Sequence, residues 1–264
     1  MEYQDYDYRS AEPVHSFHYI MPQLRRMLGH PGGPVLDLGC GNGAIAHALI
    51  AEGYDVYGVD ASKTGIAYAS KLNPGRFFVL DITTGRLPEE LRGKRFGKVI
   101  STEMIDHLYD PHGFVDFVHS ILSGGGDFIV VTTYHGYLKN LALAVTGKLD
   151  AHFTALWRGG RIKFFSRKTL EALLRKSGFE VVEFAGAGCR KVPQGRLGWA
   201  GGRRDLRRLR AIPRRILRAV HRRGDRRDPA QRQLRRQLRV DHPESADLAA
   251  VQADAGGVLV QGAV

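Results

Sequence analysis

Residues 35–43 read Val-Leu-Asp-Leu-Gly-Cys-Gly-Asn-Gly, and this stretch constrains the fold more than any other part of the sequence. A short apolar run leads into three glycines, and a helical pattern through residues 44–51 follows. Glycine adopts positive φ angles without a steric penalty and lets backbone approach a ligand closely. The first turn of a helix carries free N–H groups. The stretch therefore predicts a strand, a tight turn and a helix N-terminus that together hold a nucleotide.

Apolar runs and helical patterns alternate along the first 190 residues of the chain. Residues that favour N-caps precede three of the helical patterns, at Ser62, Asp110 and Ser166. Near-continuous apolar strands separated by helices predict a parallel sheet covered on both faces. The predicted fold class is therefore α/β, a doubly wound, mostly parallel, Rossmann-like sheet. Strands are predicted at residues 35–38, 54–60, 77–81, 96–102, 127–133 and 179–184.

Three acidic residues lie in or at the ends of the first three predicted strands. Asp37 can meet an amino group, Asp60 can accept both hydroxyls of a ribose, and Asp81 with Ile82 can contact an adenine. The Gly-x-Gly-x-x-Ala pattern of residues 39–44 also satisfies the loose dinucleotide fingerprint, and alone it does not separate NAD from S-adenosylmethionine. Three acids around one pocket suit a cationic sulfonium ligand better than a pyrophosphate.

These motifs together resemble those of class I S-adenosylmethionine-dependent methyltransferases. Residues 35–43 are similar to the first motif of that family, residues 56–61 to its ribose motif and residues 80–83 to its adenine motif. The resemblance covers about residues 14–188. It implies that S-adenosylmethionine is the cofactor and that its contacts are Asp37, Gly39, Cys40, Gly41, Asn42, Gly43, Asp60, Ala61, Asp81, Ile82 and Thr102.

A second group of polar residues, Glu103, Asp106 and His107, follows the fourth predicted strand. Their spacing places them on one face of a helical turn, and two carboxylates with an imidazole can hold a hard divalent ion. The group resembles the Glu-x-x-Glu-His signature of ubiquinone-biosynthesis O-methyltransferases, with Asp106 in place of the second glutamate. The resemblance implies a metal site, with Mg²⁺ as the candidate ion. The alternative is that the acids favour a helix N-terminus and that His107 is a general base or a packing residue.

Residues 134–165 are predicted to be an insertion that covers the methyl acceptor. Its aromatic and histidine side chains can stack on and deprotonate a phenol, or they can pack as a cap. His135 is the first candidate for an acceptor-side base and His107 the second. The apolar run at residues 141–145 is too short to span a membrane and is a candidate lipid- or prenyl-contacting face.

The formal net charge of +12 comes from the C-terminal part of the chain. Residues 190–240 carry 19 Lys and Arg against three acids, and only Lys191 among the 19 is not arginine. One interpretation is a basic arm for RNA or an anionic membrane. We favour a disordered or aberrant tail, of the kind that an out-of-frame coding sequence would give. In residues 190–240, Trp199 is the only Phe, Trp or Tyr, and apolar periodicity is absent. No terminal antiparallel strand is found after Gly188, so the sheet is predicted to lack one.

Four segments are predicted: an N-terminal helix or lid (1–30), a methyltransferase domain (31–188), the acceptor insertion within it (134–165) and the tail (189–264). The sequence favours a reducing, cytoplasmic protein on three observations. The two cysteines have no zinc or disulfide pattern, no apolar run is long enough to span a membrane, and the first residues are acidic and aromatic. The predicted function is O-methylation of a small phenolic or quinone-precursor acceptor, with assistance by a divalent metal ion left open. The alternatives are an RNA 2′-O-methyltransferase that uses the basic tail, and a non-catalytic cofactor-binding protein. A small molecule is the expected partner, nucleic acid is disfavoured, and peripheral membrane contact stays open.

Overall fold

The computed structural model describes residues 5, 6, 8–153, 155, 159–187 and 257–263. These residues form a seven-stranded sheet with helices on both faces. The strands are β1 (Pro34–Leu38), β2 (Asp55–Asp60), β3 (Phe77–Val79), β4 (Phe96–Thr102), β5 (Leu122–Thr133), β6 (Glu180–Ala187) and β7 (Gly257–Ala263). The α-helices are α1 (Phe17–Leu28), α2 (Ala44–Ala51), α3 (Lys63–Leu72), α4 (Pro111–Ile121), α5 (Tyr137–Val145), α6 (Leu149–Phe153) and α7 (Arg167–Lys176). Single turns of 3₁₀ helix occur at Ile82–Thr84, Glu89–Leu91 and Ile105–His107.

The strand order, β3-β2-β1-β4-β5-β7-β6, places β1 inside the sheet between β2 and β4. Strands β1 to β5 are parallel. The order reverses at β1 and β4, so a crevice opens at the carboxyl ends of these two strands, where ligands of open α/β sheets bind. The predicted doubly wound, Rossmann-like fold class is confirmed.

Alternate residues of the strands supply two separate hydrophobic layers. Val35 and Ile100 face the layer that contains α1, α2 and α3, whereas Leu36 and Val99 face the layer that contains α4 and α7. All four side chains are at most 1% exposed. Burial of both faces is the physical reason that these strands read as continuous apolar runs.

The predicted helix N-caps are confirmed. The side chain of Ser62 accepts a hydrogen bond from Gly65 N at the start of α3, and Asp110 accepts from the first turn of α4. Ser166 begins α7 with a capping box in which Thr169 is the reciprocal partner. Each cap satisfies backbone donors that have no partner inside the helix.

Strand β7 is antiparallel and lies between β5 and β6, where it pairs with residues 127–133 on one side and 180–187 on the other. The expectation of a sheet without a terminal strand is therefore wrong. Residues 257–263 belong to the sheet rather than to the tail predicted for 189–264. Their seven residues, Gly-Val-Leu-Val-Gln-Gly-Ala, carry a weak signal because glycine and glutamine interrupt the apolar pattern. Residues 189–256 lie outside the described ranges, so the predicted disordered or aberrant tail stays a prediction.

No helix in the described ranges is long and apolar enough to cross a membrane.

Candidate active site

The glycine turn after β1 lies at the crevice and is fixed against β2. The backbone N–H groups of Gly39 and Cys40 both donate to Val59 O, at 2.8 and 3.0 Å. Gly39, Gly41 and Gly43 have φ angles of +90°, +55° and +79°, which L side chains rarely adopt. A Cβ atom on Gly39 would lie 2.5 Å from the Sδ of Met104. The turn therefore needs glycine for its backbone conformation and, at Gly39, for space as well.

Asp37 is a fully buried carboxyl group beneath this turn. Its side chain is 0% exposed, and neither carboxyl oxygen has a hydrogen-bond partner among the residues that the structure describes. Burial, with a smaller effect of the Asp60 carboxylate, raises the pKa of Asp37 to about 8. A buried group of this kind is costly unless a ligand pairs with it. Asp37 thus fits the predicted role of meeting a positively charged amino group.

Asp60 ends β2 and links the glycine turn to the start of α3. Its two carboxyl oxygens accept hydrogen bonds from Gly41 N and Ser62 N, each at 2.8 Å. Burial raises the pKa of Asp60, and these backbone donors oppose that rise. Each carboxylate oxygen has a second lone pair, so Asp60 can still accept from a ribose hydroxyl. Ala61, between these contacts, is partly exposed.

The remaining predicted cofactor residues lie at or after the carboxyl ends of β1, β3 and β4. Asp81 is exposed and caps the 3₁₀ turn that follows β3, accepting from Thr83 N at 2.9 Å. Ile82 is 8% exposed and packs in the core, and Thr102 ends β4. Cys40 is buried, and burial raises the pKa of its thiol, which therefore stays neutral. The adenine contacts of Asp81 and Ile82 stay predictions.

Residues 8–12 cross the glycine turn, a feature that sequence reasoning missed. The side-chain amide of Asn42 donates to Ser10 O and Glu12 O, at 3.0 and 2.9 Å. Tyr8 N donates to the hydroxyl of Thr64 at the start of α3. The predicted lid helix is α1, but its apolar face, with Leu24 at 0% exposure, packs in the core. We name residues 8–12 the N-terminal strap.

The three predicted metal ligands do not form a metal-binding group in the described part of the chain. An arginine pairs with both carboxylates instead. The Nε of Arg161 donates to Asp106 Oδ2 at 2.8 Å, and its Nη2 donates to Glu103 Oε2 at 2.9 Å. His107 lies beside this pair without a hydrogen bond to it, because its Nδ1 is 2.9 Å from Gly159 O and its Nε2 is 3.9 Å from Asp106 Oδ1. The predicted Mg²⁺ site therefore does not fit, because a guanidinium already neutralises the carboxylates that would bind the ion.

His135 lies in an aromatic cluster at the carboxyl end of β5. Its ring stacks on Phe153, lies edge-on to Phe164 and has its centroid 5.3 Å from that of His152. His135 is 7% exposed, and its two ring nitrogens find no hydrogen-bond partner within the described ranges. Burial is the main cause that lowers the pKa of both His135 and His152 to about 4. Both imidazoles are therefore neutral near pH 7 and can accept hydrogen bonds from a ligand.

Residues 13–184 match a family model described as a methyltransferase domain. A ubiquinone biosynthesis O-methyltransferase from Azorhizobium caulinodans is 30% identical over 193 residues, which cover 66% of this chain and 74% of that protein. An S-adenosylmethionine-dependent methyltransferase from Mesorhizobium loti has a TM-score of 0.53 at 17% identity, covering 92% of this chain and 96% of that chain. Magnesium protoporphyrin IX methyltransferase from Synechocystis, solved with bound SAH, has a TM-score of 0.50 at 20% identity, covering 67% and 78%. The two solved structures support the fold.

Proposed function

The chain belongs to the S-adenosylmethionine-dependent methyltransferase family, and on this basis we propose that it methylates an oxygen atom of a small phenolic or quinone-precursor acceptor. The observation that carries the proposal is the neutral, unpaired His135 within an aromatic cluster at the carboxyl edge of the sheet. The name of the Azorhizobium relative, a ubiquinone biosynthesis O-methyltransferase, supports an acceptor of this kind.

On the cofactor side, we assign one contact to each of three acidic residues. Asp37 pairs with the amino group of the methionine portion, Asp60 accepts from the ribose hydroxyls, and Asp81 accepts from the adenine amine. The positive φ angles of the glycine turn give it the backbone conformation in which the cofactor can approach closely. When bound, S-adenosylmethionine supplies a methyl group on a positively charged sulfur. The main task of the protein is then to align acceptor oxygen, methyl carbon and sulfur.

On the acceptor side, the aromatic cluster holds the ring and the histidines hold the hydroxyl group. Phe153 and Phe164 offer faces and edges for a phenol ring. A neutral imidazole nitrogen of His135 accepts the hydrogen bond of the phenol, which directs an oxygen lone pair toward the methyl carbon. With S-adenosylmethionine bound as the methyl donor, the oxygen would take the methyl group, and His135 would pass the phenol proton to water. His107 is not part of this proposal, because its ring contacts Gly159 O.

Two features of the predicted function change in this proposal, and two stay as predicted. Metal assistance is left out, because Arg161 neutralises Glu103 and Asp106. RNA methylation stays an alternative that the neutral charge of residues 1–189 disfavours, and the basic residues on which it depends lie outside the described ranges. A non-catalytic role loses its main support, because β7 completes the sheet. The cytoplasmic location stays a prediction from cysteine usage.

A methyl-transfer assay with radiolabelled S-adenosylmethionine tests the proposal on catechols, monophenols, aromatic carboxylates and total RNA. We expect transfer to one or more phenolic compounds, and a large loss of kcat in His135→Phe. His119→Phe is the matched control, because His119 also packs edge-on against a phenylalanine, Phe179, but on the α4 side of the sheet. Transfer to RNA without transfer to phenols would contradict the proposal. Equal activity of the two variants would contradict the role of His135.

A further inference from the structure

The carboxylates of Glu103 and Asp106 are bridged by a single guanidinium group, that of Arg161. We propose that Arg161 takes the place of a divalent cation on the acceptor side of the site, so that methyl transfer by this chain is independent of metal. The inference deepens the proposed O-methyl transfer and rests on it for turnover. Metal binding itself can be measured without any acceptor.

The geometry of the bridge is that of a partly buried, two-point ion pair. Arg161 is 13% exposed, Glu103 24% and Asp106 1%, and the two N···O distances are 2.9 and 2.8 Å. Hydrogen bonds between ionised partners at such distances are about twice as strong as neutral ones. Arginine stays charged in proteins and its planar fork can hold two acceptors at fixed positions. Arg161 therefore supplies a permanent positive charge between the two carboxylates.

One oxygen of each carboxylate is committed to Arg161, whereas Asp106 Oδ1 has no hydrogen-bond partner within the described ranges. The guanidinium charge beside both carboxylates opposes the binding of a divalent cation there. Mg²⁺ requires a near-octahedral set of oxygen ligands at short distances, but Asp106 Oδ2 and Glu103 Oε2 each accept from Arg161. The Nε2 of His107 is 3.9 Å from Asp106 Oδ1, and its other nitrogen contacts Gly159 O. An incoming ion would have to displace a partly buried guanidinium and turn His107.

The backbone holds Arg161 in this position. Ile162 N and Lys163 N both donate to the carbonyl oxygen of Asp106, at 2.8 and 3.0 Å, so the two residues that follow Arg161 are fixed to the residue whose carboxylate Arg161 contacts. Glu103 has a φ angle of +54° and is the only non-glycine residue with positive φ in the described ranges. Such a conformation is strained and persists where surrounding contacts determine it. The backbone of Glu103 is therefore strained in the conformation in which the Glu103 carboxylate contacts the guanidinium.

Arg161 also lies close to the groups that we assign to the acceptor. Its positive charge contributes to the lowered pKa values of His135, His152 and Lys139. Arginine has five N–H donors, and the bridge to Glu103 uses one and the bridge to Asp106 another. A remaining donor can hold the acceptor oxygen and stabilise the negative charge that develops as its proton leaves. Arg161 is thus a positioning residue that does the electrostatic work of a metal ion.

Manganese binding, followed by electron paramagnetic resonance of the full chain, tests the metal-independent site directly. We expect no stoichiometric Mn²⁺ binding by the wild-type protein or by Arg161→Lys, which keeps the positive charge. Arg161→Met leaves two adjacent carboxylates unpaired, and we expect it to bind Mn²⁺ at least tenfold more tightly than wild type. The control is Arg25→Met, which removes an exposed arginine paired with Glu52 and should not change Mn²⁺ binding. One equivalent of Mn²⁺ on the wild-type protein, at a site lost in Glu103→Gln, would overturn the inference.

Measurements of turnover distinguish a positioning role of Arg161 from simple neutralisation of Glu103 and Asp106. With the acceptor that reacts fastest in the panel above, wild-type activity should be the same in EDTA as in Mg²⁺. Arg161→Met should lose about 100-fold in kcat, the size of effect seen when one transition-state donor is removed. The double variant Glu103→Gln/Arg161→Met keeps the net charge of the cluster and should recover its melting temperature but not its kcat. Recovery of both would show that Arg161 only neutralises, and loss of activity in EDTA would refute metal independence. If no acceptor reacts, the proposed function fails while the Mn²⁺ measurement still decides the metal question.

Discussion

The buried carboxyl group of Asp37 leads to a quantitative prediction about protons. The pKa of this group is raised from 3.8 to about 8 in the folded protein without cofactor. At pH 7 the group is therefore almost fully protonated, and it holds about 0.9 of a proton. A cofactor that places its ammonium group beside Asp37 favours the carboxylate and lowers this pKa. We expect binding of S-adenosylmethionine at pH 7 to release up to about 0.9 of a proton from Asp37.

The same shift determines how stability depends on pH. The folded state without cofactor holds the proton of Asp37 up to about pH 8, whereas the unfolded chain releases it near pH 3.8. Stability is therefore highest below pH 4 as far as this group is concerned, and it falls as the pH rises toward 8. Over about 3 pH units, from pH 4 to pH 7, the free energy of unfolding falls by about 4 kcal/mol because of this group. Bound cofactor should remove most of this loss.

Titration calorimetry in buffers with different ionisation enthalpies measures the released protons. Asp37→Asn is the reference variant, because it keeps the shape of the side chain and cannot ionise. Its proton release gives the contribution of the cofactor's own amino group, which is subtracted from that of the wild type. A difference below about 0.1 proton between the two proteins at pH 7 would refute the reasoning, since it would mean that Asp37 is already ionised in the empty site.

Three further predictions follow from the glycine turn, the N-terminal strap and β7. Gly39→Ala should weaken cofactor binding, measured by calorimetry, at least tenfold. Gly53→Ala has the same φ of +90° but open space around its Cβ, so it should cost only about 1 kcal/mol of stability and leave binding unchanged. Equal binding by the two variants would contradict the steric argument. Asn42→Ala should speed proteolytic cleavage within residues 8–12, because it removes both hydrogen bonds to Ser10 and Glu12 carbonyls, and an unchanged cleavage rate would show that the strap is held elsewhere. A chain that ends at residue 256 should lose cooperative thermal unfolding, whereas a chain that ends at residue 263 should keep it. A cooperative transition in the shorter chain would show that β7 is dispensable.

The local features of the fold were predictable because their causes lie close together in sequence. The glycine turn combines a strand, positive φ angles and a helix start within residues 34–51. Caps such as Ser62 act within three residues of their partner. Hydrophobic runs identified the parallel strands, because both faces of the sheet are buried. These signals need no knowledge of distant contacts.

The acceptor side was less predictable because its contacts join distant parts of the chain. Glu103 and Asp106 have the spacing of metal ligands, but the residue that decides their role, Arg161, follows Asp106 by 55 positions. Nothing in the sequence near Arg161 shows that the backbone of residues 162 and 163 will dock on Asp106. The one available signal was the charge itself, since two buried carboxylates need a cation and an arginine in the covering insertion can supply it.

The final strand of the sheet was missed for a related reason. β7 is separated from β6 by 69 residues of very different composition, so neither spacing nor continuity of pattern connects it to the sheet. Its apolar core is three residues long, Val258 to Val260. A pattern this short predicts a strand only when the vacant position between two other strands is already known.

The position of β7 has a consequence for the synthesis of the protein. β5 and β6 are not neighbours in the finished sheet, because β7 separates them. On the ribosome, both strands therefore present an unpaired edge until residues 257–263 emerge. At 5 to 20 residues per second, translation of the 69 intervening residues takes roughly 3 to 14 s. During this interval the nascent chain exposes strand edges that can pair with other chains, so binding of a chaperone before translation ends would favour correct insertion of the last strand.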